Sequence, residues 1–213
     1  MKDDFYDLMS KTPKQKIGQK LIIVLNGAGG VGKDTICNIV AERYNCVNES
    51  SIDPIKEIAR KYGGWSGEKD EKSRKFLSDL KLIFSDYNNL PLTYMLEKTR
   101  NFLANTGQEI MFVHIREPKE IATFVSMLEE HDIKCITLLI KGKSEKQWGN
   151  MADDNVENYS YDYKYNNITT LQELPKSFML FFKAILEIEC EEVLHEYRKY
   201  VSRRIKTIKR DYR

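Results

Sequence analysis

The chain of 213 residues lacks any apolar run long enough to cross a membrane. Its continuous stretches, such as Leu21 to Leu25, match a buried strand and fall far short of the roughly 20 residues a spanning helix needs. The start, Met1-Lys-Asp-Asp-Phe, is acidic and has neither the apolar stretch nor the small-residue cleavage site expected of a secretory signal. The expectation is a cytoplasmic protein without membrane contact. Cysteine is scarce: Cys37, Cys46, Cys135 and Cys190 form no CxxC pair and sit near no histidine cluster. That excludes a zinc site and a disulfide framework, and predicts reduced thiols in or near the core. Internal repeats and low-complexity tracts are absent too. With 41% hydrophobic and 31% charged residues, the chain can bury one domain's core but no more.

Net charge is small but unevenly spread. From Arg198 to Arg213 eight basic residues face one acid, Asp211, a formal +7 that against the overall +2 leaves −5 for the body. The body is mildly acidic and the tail basic.

What is present is an alternation of short apolar runs and helical periodicities. Leu21 to Leu25, the glycine-rich Asn26 to Gly32, and then Ile36, Ile39, Val40 and Tyr44 read as strand, loop and helix. Cys46 to Ser50 fits a second strand. Asp53-Pro54 reads as an N-cap followed by proline at the first helical position, and Gly63-Gly64 ends that helix. Helical patterns over Phe76 to Tyr87 and Pro91 to Leu103 insert an extra layer before a third strand, Ile110 to Ile115. Pro118 opens the helix of Ile121, Phe124, Val125 and Leu128, and Ile133 to Ile140 and Tyr163 to Ile168 complete the strands. Pro175 opens a last helical pattern whose apolar positions recur as far as Tyr212, with a break expected near Glu189 to Glu192. Strand and helix alternating in this way predict an α/β fold, a parallel sheet covered on both faces. Residues 1–20 read as an N-terminal extension, 21–188 as the main domain and 189–213 as a basic C-terminal helix.

The segment Gly27-Ala-Gly-Gly-Val-Gly32-Lys33-Asp34-Thr35 lies between the best strand and a clear helix, the setting a phosphate-binding P-loop requires. Glycines let successive backbone N–H groups curl inward, the helix N-terminus adds positive potential, and Lys33 can bridge the β- and γ-phosphates. Gly27, Gly29, Gly30, Val31, Gly32, Lys33, Asp34 and Thr35 are therefore candidate contacts for a nucleoside triphosphate, ATP in the simplest case. Where Ser or Thr usually follows the lysine, this chain has Asp34, with Thr35 one step later. A carboxylate is a hard oxygen ligand, so Asp34 and Thr35 are the candidates for holding Mg²⁺.

The Gly-Lys-Asp-Thr ending is followed by Asp53-Pro-Ile-Lys56, Ile115-Arg-Glu-Pro-Lys-Glu-Ile121 and Asn166-Asn-Ile-Thr-Thr-Leu-Gln-Glu-Leu174. Over about residues 20 to 188 this pattern resembles the P-loop deoxynucleoside monophosphate kinases of phage and bacterial type, relatives of animal-type phosphomevalonate kinase. The resemblance implies a P-loop NTPase three-layer fold with a five-stranded parallel sheet. It also implies a helical acceptor-binding insert at about 51–106, a lid at about 141–162, and Mg²⁺·ATP as phosphoryl donor. Lys56 matches the family's substrate-side lysine and Asn167 an asparagine near the adenine site. Where the family shows Asp-x-Arg at the end of the third strand, this chain has His114-Ile115-Arg116. The arginine is kept and the aspartate is not, which shifts metal holding toward Asp34.

Phosphoryl transfer to a phosphate acceptor needs no strong base; it needs positioning and neutralisation of several negative charges. Lys33, Lys56 and Arg116 are accordingly the candidate catalytic residues, and Lys56, Arg74 and Arg116 the candidate acceptor contacts. Arg116 follows a strand at the carboxyl edge where ligands bind in open parallel sheets, and its guanidinium can grip a phosphate bidentately. Each has a plainer reading: a solvated helix residue for Lys56, a charged helix face for Arg74, an ion pair with Glu117 or Glu120 for Arg116, and a satisfied strand-end residue for His114. Lys141, Lys143, Lys146, Trp148 and the Asp153-Asp154 pair are lid candidates. Trp65 and the tyrosines at 159, 161, 163 and 165 offer stacking surfaces, though alternation at period two points to a strand.

The leading expectation is phosphoryl transfer from ATP to a (deoxy)nucleoside monophosphate, with a non-nucleotide such as phosphomevalonate as the rival acceptor. A nucleotide-binding interaction module is the rival from another class. Its basic tail would contact nucleic acid or a partner, or join two copies of the chain as a homodimer.

Overall fold

The computed structural model describes residues 14–142 and 156–190. The expected N-terminal segment up to residue 13, most of the expected lid (Lys143, Lys146, Trp148, Asp153 and Asp154 included) and the basic tail from residue 191 lie outside the described residues.

The run of apolar residues after Lys20 forms β1 (Leu21–Asn26), every residue of which is buried. The other strands are β2 (Cys46–Ser50), β3 (Ile110–His114), β4 (Cys135–Gly142) and β5 (Tyr163–Asn167). All pairs are parallel, in the order β2-β3-β1-β4-β5. The chain thus steps from β1 outward to β2, returns to β3 beside β1, and crosses to the other side for β4 and β5. Chain order reverses around β1, which places the crevice at its carboxyl end.

Six helices complete the described fold: α1 (Lys33–Ala41), α2 (Asp53–Gly63), α3 (Glu71–Asn88), α4 (Leu90–Ala104), α5 (Pro118–Glu129) and α6 (Leu174–Glu189). Period-two alternation on β1 sorts its side chains into two cores. Leu21, Ile23 and Leu25 face α1 and α6, joining Ile36, Val40, Phe178 and Phe182. Ile22 and Val24 face α4 and α5, joining Met95, Phe102, Ile121 and Phe124. This is the three-layer parallel architecture that the alternating pattern predicted. At the foot of the sheet Lys20 ties the end of α4 to the loop that follows, its ammonium donating to the carbonyls of Phe102 (3.0 Å), Asn105 and Gln108.

Helices α2, α3 and α4 pack on one another at the β2 edge. Asp70 caps α3, its carboxylate accepting from the Ser73 N–H at 2.7 Å, and Asn89 in the left-handed region joins α3 to α4. None of the 18 residues of α3 is buried, although it carries Phe76, Leu82, Ile83 and Tyr87.

Several local expectations need correction, among them the fourth strand, which spans Cys135–Gly142 instead of Ile133 to Ile140, and the fifth, which ends at Asn167 instead of Ile168. Asp53 does not cap α2; it is the helix's first residue after the cap Ile52, and its carboxylate turns back to accept from the Ser50 N–H at 3.2 Å. The connection from β2 is so short that the side chain closes the turn instead. The tyrosine alternation becomes a strand only from Tyr163, since just before it the Asp162 carboxylate, and not a backbone carbonyl, accepts from the Thr137 N–H of β4 at 2.7 Å. The third strand ends at His114, one residue early, since Ile115 and Arg116 diverge from β2 and β1 toward the crevice. The last helix stops at Glu189, within the acidic cluster, with Cys190 as its cap. No disulfide forms; Cys37 and Cys190 are buried and Cys46 and Cys135 half-buried. Among the described residues no helix is long and apolar enough to cross a membrane.

Candidate functional site

The glycine-rich loop runs from the end of β1 into α1. Gly27 (φ +148°), Gly30 (φ +80°) and Gly32 (φ +96°) all adopt backbone angles that disfavour a side chain. Gly27 is also a point of close approach, where an added Cβ would stand 2.4 Å from the Ile140 carbonyl oxygen of β4. Gly32 caps α1 in the left-handed region with no side-chain hydrogen bond. The cap being a glycine, no cap side chain occupies the start of α1, which suits an anion at that helix end.

Lys33 folds back over the loop, its ammonium donating to the carbonyls of Gly27 and Ala28, the latter at 2.9 Å. A positive charge is thereby fixed at the mouth of the loop. Asp34 and Thr35 occupy the first turn of α1, both exposed. Among the described residues no three His, Cys, Asp or Glu side chains gather in a metal-ligating group. Asp34 and Thr35 would suit a hard cation that takes one or two protein oxygens and the rest from phosphates, rather than an all-protein cage.

Asn167, at the end of β5, reaches across to the loop, and its amide donates to the Val31 carbonyl at 2.9 Å. It lies so close that a Cβ on Gly32 would meet its nitrogen at 2.8 Å. Arg116 is exposed just beyond β3. Glu120, one of the carboxylates considered as its partner, accepts from Lys81 at 2.7 Å and so ties α3 to α5. Lys56, in the first turn of α2, pairs with Asp53 at 3.0 Å. Arg74 is exposed in the first turn of α3. Trp65 lies under the Arg60 guanidinium, 4.9 Å from its ring, and its indole donates to the Glu68 carbonyl.

His114 is where these charges converge. Burial and then the Lys33 ammonium push its pKa down to about 4, Lys56 adding to them, while Asp34 and Asp53 pull the other way. The imidazole is neutral near pH 7. Its Nε2–H donates to Asn48 Oδ1 at 2.7 Å, and the Cys37 sulfur lies 3.9 Å from the same nitrogen. The Cys37 thiol is itself pushed up to about 12, by burial first and by the Asp34 carboxylate next. In place of a strand-end carboxylate, the chain presents an uncharged, hydrogen-bonded ring behind the loop lysine.

Asn26, to which the sequence assigns no role, and Tyr161, expected only as a stacking surface or strand residue, both belong to this site. Asn26, fully buried, donates from Nδ2 to the Arg116 carbonyl (2.9 Å) and to the Tyr161 hydroxyl (2.7 Å) and accepts from the Gly27 N–H (2.8 Å). The Tyr161 hydroxyl in turn donates to the Val156 carbonyl at 2.8 Å. The available signal was a lone amide ending an otherwise apolar strand.

No family model and no curated protein matches the chain. Among solved structures, the APS kinase CysC of Mycobacterium tuberculosis, in complex with AMPPNP and APS, is 9% identical, with 78% of this chain and 98% of that one covered at a TM-score of 0.41. The tunicamycin resistance protein of Deinococcus radiodurans is 14% identical, covering 77% and 96% at 0.45. A gluconokinase from Sinorhizobium meliloti 1021 is 12% identical, covering 85% and 99% at 0.44. Similarity this remote leaves the chemistry to be argued from the chain's own residues.

Proposed function

We propose that this protein transfers the γ-phosphoryl group of ATP to a small phosphorylated acceptor, a (deoxy)nucleoside monophosphate in the first instance. The observation that carries the reading is the uncapped start of α1 behind a loop of positive-φ glycines, with the Lys33 ammonium fixed across that loop. Backbone amides and a helix end beside a fixed ammonium favour the triphosphate's negative charge.

In this reading the acceptor is already an anion. One of its phosphate oxygens attacks the γ-phosphorus as the bond to the β-γ bridging oxygen breaks, so ADP leaves and no proton has to be removed by the protein. The protein's task is to hold like charges together. Lys33 neutralises the migrating group, Arg116 and Lys56 hold the acceptor phosphate, and Arg74 adds charge on the insert side. Mg²⁺, when bound with ATP at Asp34 and Thr35, supplies charge screening. Gly27, Gly29, Gly30, Val31 and Gly32 line the phosphates, and Asn167 keeps the loop in shape from the side of β5.

Neutral His114 fits this scheme better than a charged one would. A second cation beside Lys33 would be costly before nucleotide arrives, and a carboxylate would crowd the phosphates with more negative charge than Asp34 already brings.

The test is ADP formation from Mg²⁺·ATP against a panel of ribo- and deoxynucleoside monophosphates together with phosphomevalonate. Acceptor-dependent turnover that falls by about 100-fold or more in Lys33→Ala is expected. Turnover with phosphomevalonate alone would move the acceptor to the non-nucleotide class. ATP binding with no turnover on any acceptor would overturn the proposal and favour an interaction module.

A further inference from the structure

β1 and β3 are paired only as far as Val24 and Val113. Beyond that point the strands part to form the crevice, β1 leading into the glycine loop and β3 into Arg116. No backbone ladder holds the two rims at a fixed separation. The side chain of Asn26 spans the gap: Nδ2 to the Arg116 carbonyl on one rim and Oδ1 to the Gly27 N–H on the other. Its second Nδ2 proton goes to Tyr161, which is anchored on Val156.

The chemistry of the partners makes the amide's orientation unambiguous. Gly27 N–H can only donate and the Arg116 carbonyl can only accept, so oxygen faces the loop and nitrogen faces β3. No other side chain of this size offers two donors and an acceptor in one plane. Asp lacks the donors, and Leu would leave a buried amide and a buried carbonyl without partners. Every group in the chain from Gly27 through Asn26 and Tyr161 to Val156 is buried. The bridge is therefore stiff where exposed side chains would not be.

We infer that Asn26 is a positioning residue that sets the distance between the loop holding the phosphoryl donor and the strand end carrying Arg116, with Tyr161 as its brace. This rests on the transfer reaction proposed above and adds to it a device that fixes donor against acceptor. Reacting atoms in such transfers must meet within a few tenths of an ångström, and a misplacement of about 1 Å costs on the order of 100-fold in rate. Loosening the bridge should slow transfer while leaving ATP bound, since the loop amides and Lys33 remain.

Two variants test this, each measured for kcat, acceptor KM and ATP Kd with the acceptor that the wild type uses best. Asn26→Asp keeps the acceptor for Gly27 and loses both donors. Its kcat is expected to fall about 100-fold at pH 8. A buried carboxyl ionises late, and once protonated it regains one O–H donor for the Arg116 carbonyl. The ratio of variant to wild-type kcat should therefore recover at least about fivefold by pH 6. Tyr161→Phe removes only the brace; its kcat should fall roughly tenfold with ATP Kd within about threefold of wild type. Wild-type kcat in Tyr161→Phe, or an Asn26→Asp deficit that does not change with pH, would overturn the inference while leaving the kinase reading intact. If the wild type itself turns over no acceptor, that reading fails and the inference falls with it. Should Asn26→Asp not fold, Tyr161→Phe decides alone.

Discussion

Replacing Gly27 by alanine and, separately, Gly30 by alanine perturbs one loop in two unequal ways. At Gly27 the new Cβ would lie 2.4 Å from the Ile140 carbonyl oxygen and 3.0 Å from Val31 Cγ2. Ile140 is a buried residue of β4, paired with β5, so that carbonyl cannot retreat without shifting the sheet. Forcing the overlap costs about 1–3 kcal/mol, and a φ of +148° adds about 1–3 kcal/mol for a residue with a side chain. Gly30 has φ +80° but nothing within 4 Å of its would-be Cβ. It bears a backbone cost of about 1–2 kcal/mol, offset by about 0.4–1 kcal/mol from the stiffer unfolded chain. The offset applies to both variants and cancels, so Gly27→Ala should be less stable than Gly30→Ala by about 1–4 kcal/mol, roughly 5- to 1,000-fold in the folding equilibrium. Urea unfolding followed by far-ultraviolet circular dichroism measures this as a shift in midpoint at constant slope. Equal stabilities, within about 0.5 kcal/mol, would refute the claim that the Ile140 carbonyl fixes the loop's path.

His114 carries a pH signature. Its pKa is lowered to about 4 in the folded state from the usual 6.5, so between those values the unfolded chain binds more protons and stability rises with pH. The contribution, up to roughly 3 kcal/mol, is present above about pH 6.5 and lost on acidification to about 4. In His114→Gln the stability difference between pH 7 and pH 4.5 should shrink correspondingly; an unchanged difference would show that the ring is not held neutral. Burial pushes the thiols of Cys37, Cys46 and Cys135 up to about 12. Iodoacetamide at pH 8 is expected to leave all three unmodified in the native protein and to label them in guanidinium, as peptide mass mapping would read. Lys20→Met should destabilise the protein by about 1 kcal/mol through loss of the ammonium's bonds to the carbonyls of Phe102, Asn105 and Gln108, without changing ATP Kd. Urea unfolding with parallel ATP titration separates the two effects.

The sheet is legible in the sequence because burial on both faces demands continuous apolar runs, and Leu21 to Leu25 and Ile110 to Val113 supply them. The loop is legible because positive φ requires glycine at Gly27, Gly30 and Gly32. What sequence does not reveal is who meets whom across the chain. Asn26 bonds to groups 90 and 135 residues away, and Asn48 bonds to His114 at a separation of 66. A single polar side chain carries no periodicity, so only the packed fold exposes its partners. The misplacement of Asp53 has the same origin: its composition suits a cap, but the tight turn from Ser50 claims the carboxylate first.

Helix α3 has a consequence for how the molecule moves. Because none of its residues is buried, detaching it from α2 and α4 would cost half-buried packing and the Lys81–Glu120 pair but no fully buried side chain, and most of its backbone amides would simply pass to water. The free energy for opening this one helix should therefore lie well below that of the whole domain, with β1 and β3 at the opposite extreme. Amide hydrogens of α3 would exchange through local opening while those of the sheet wait for global unfolding. The region beside the β2 edge can then rearrange around an incoming molecule, without any disturbance to the strands that carry the glycine loop.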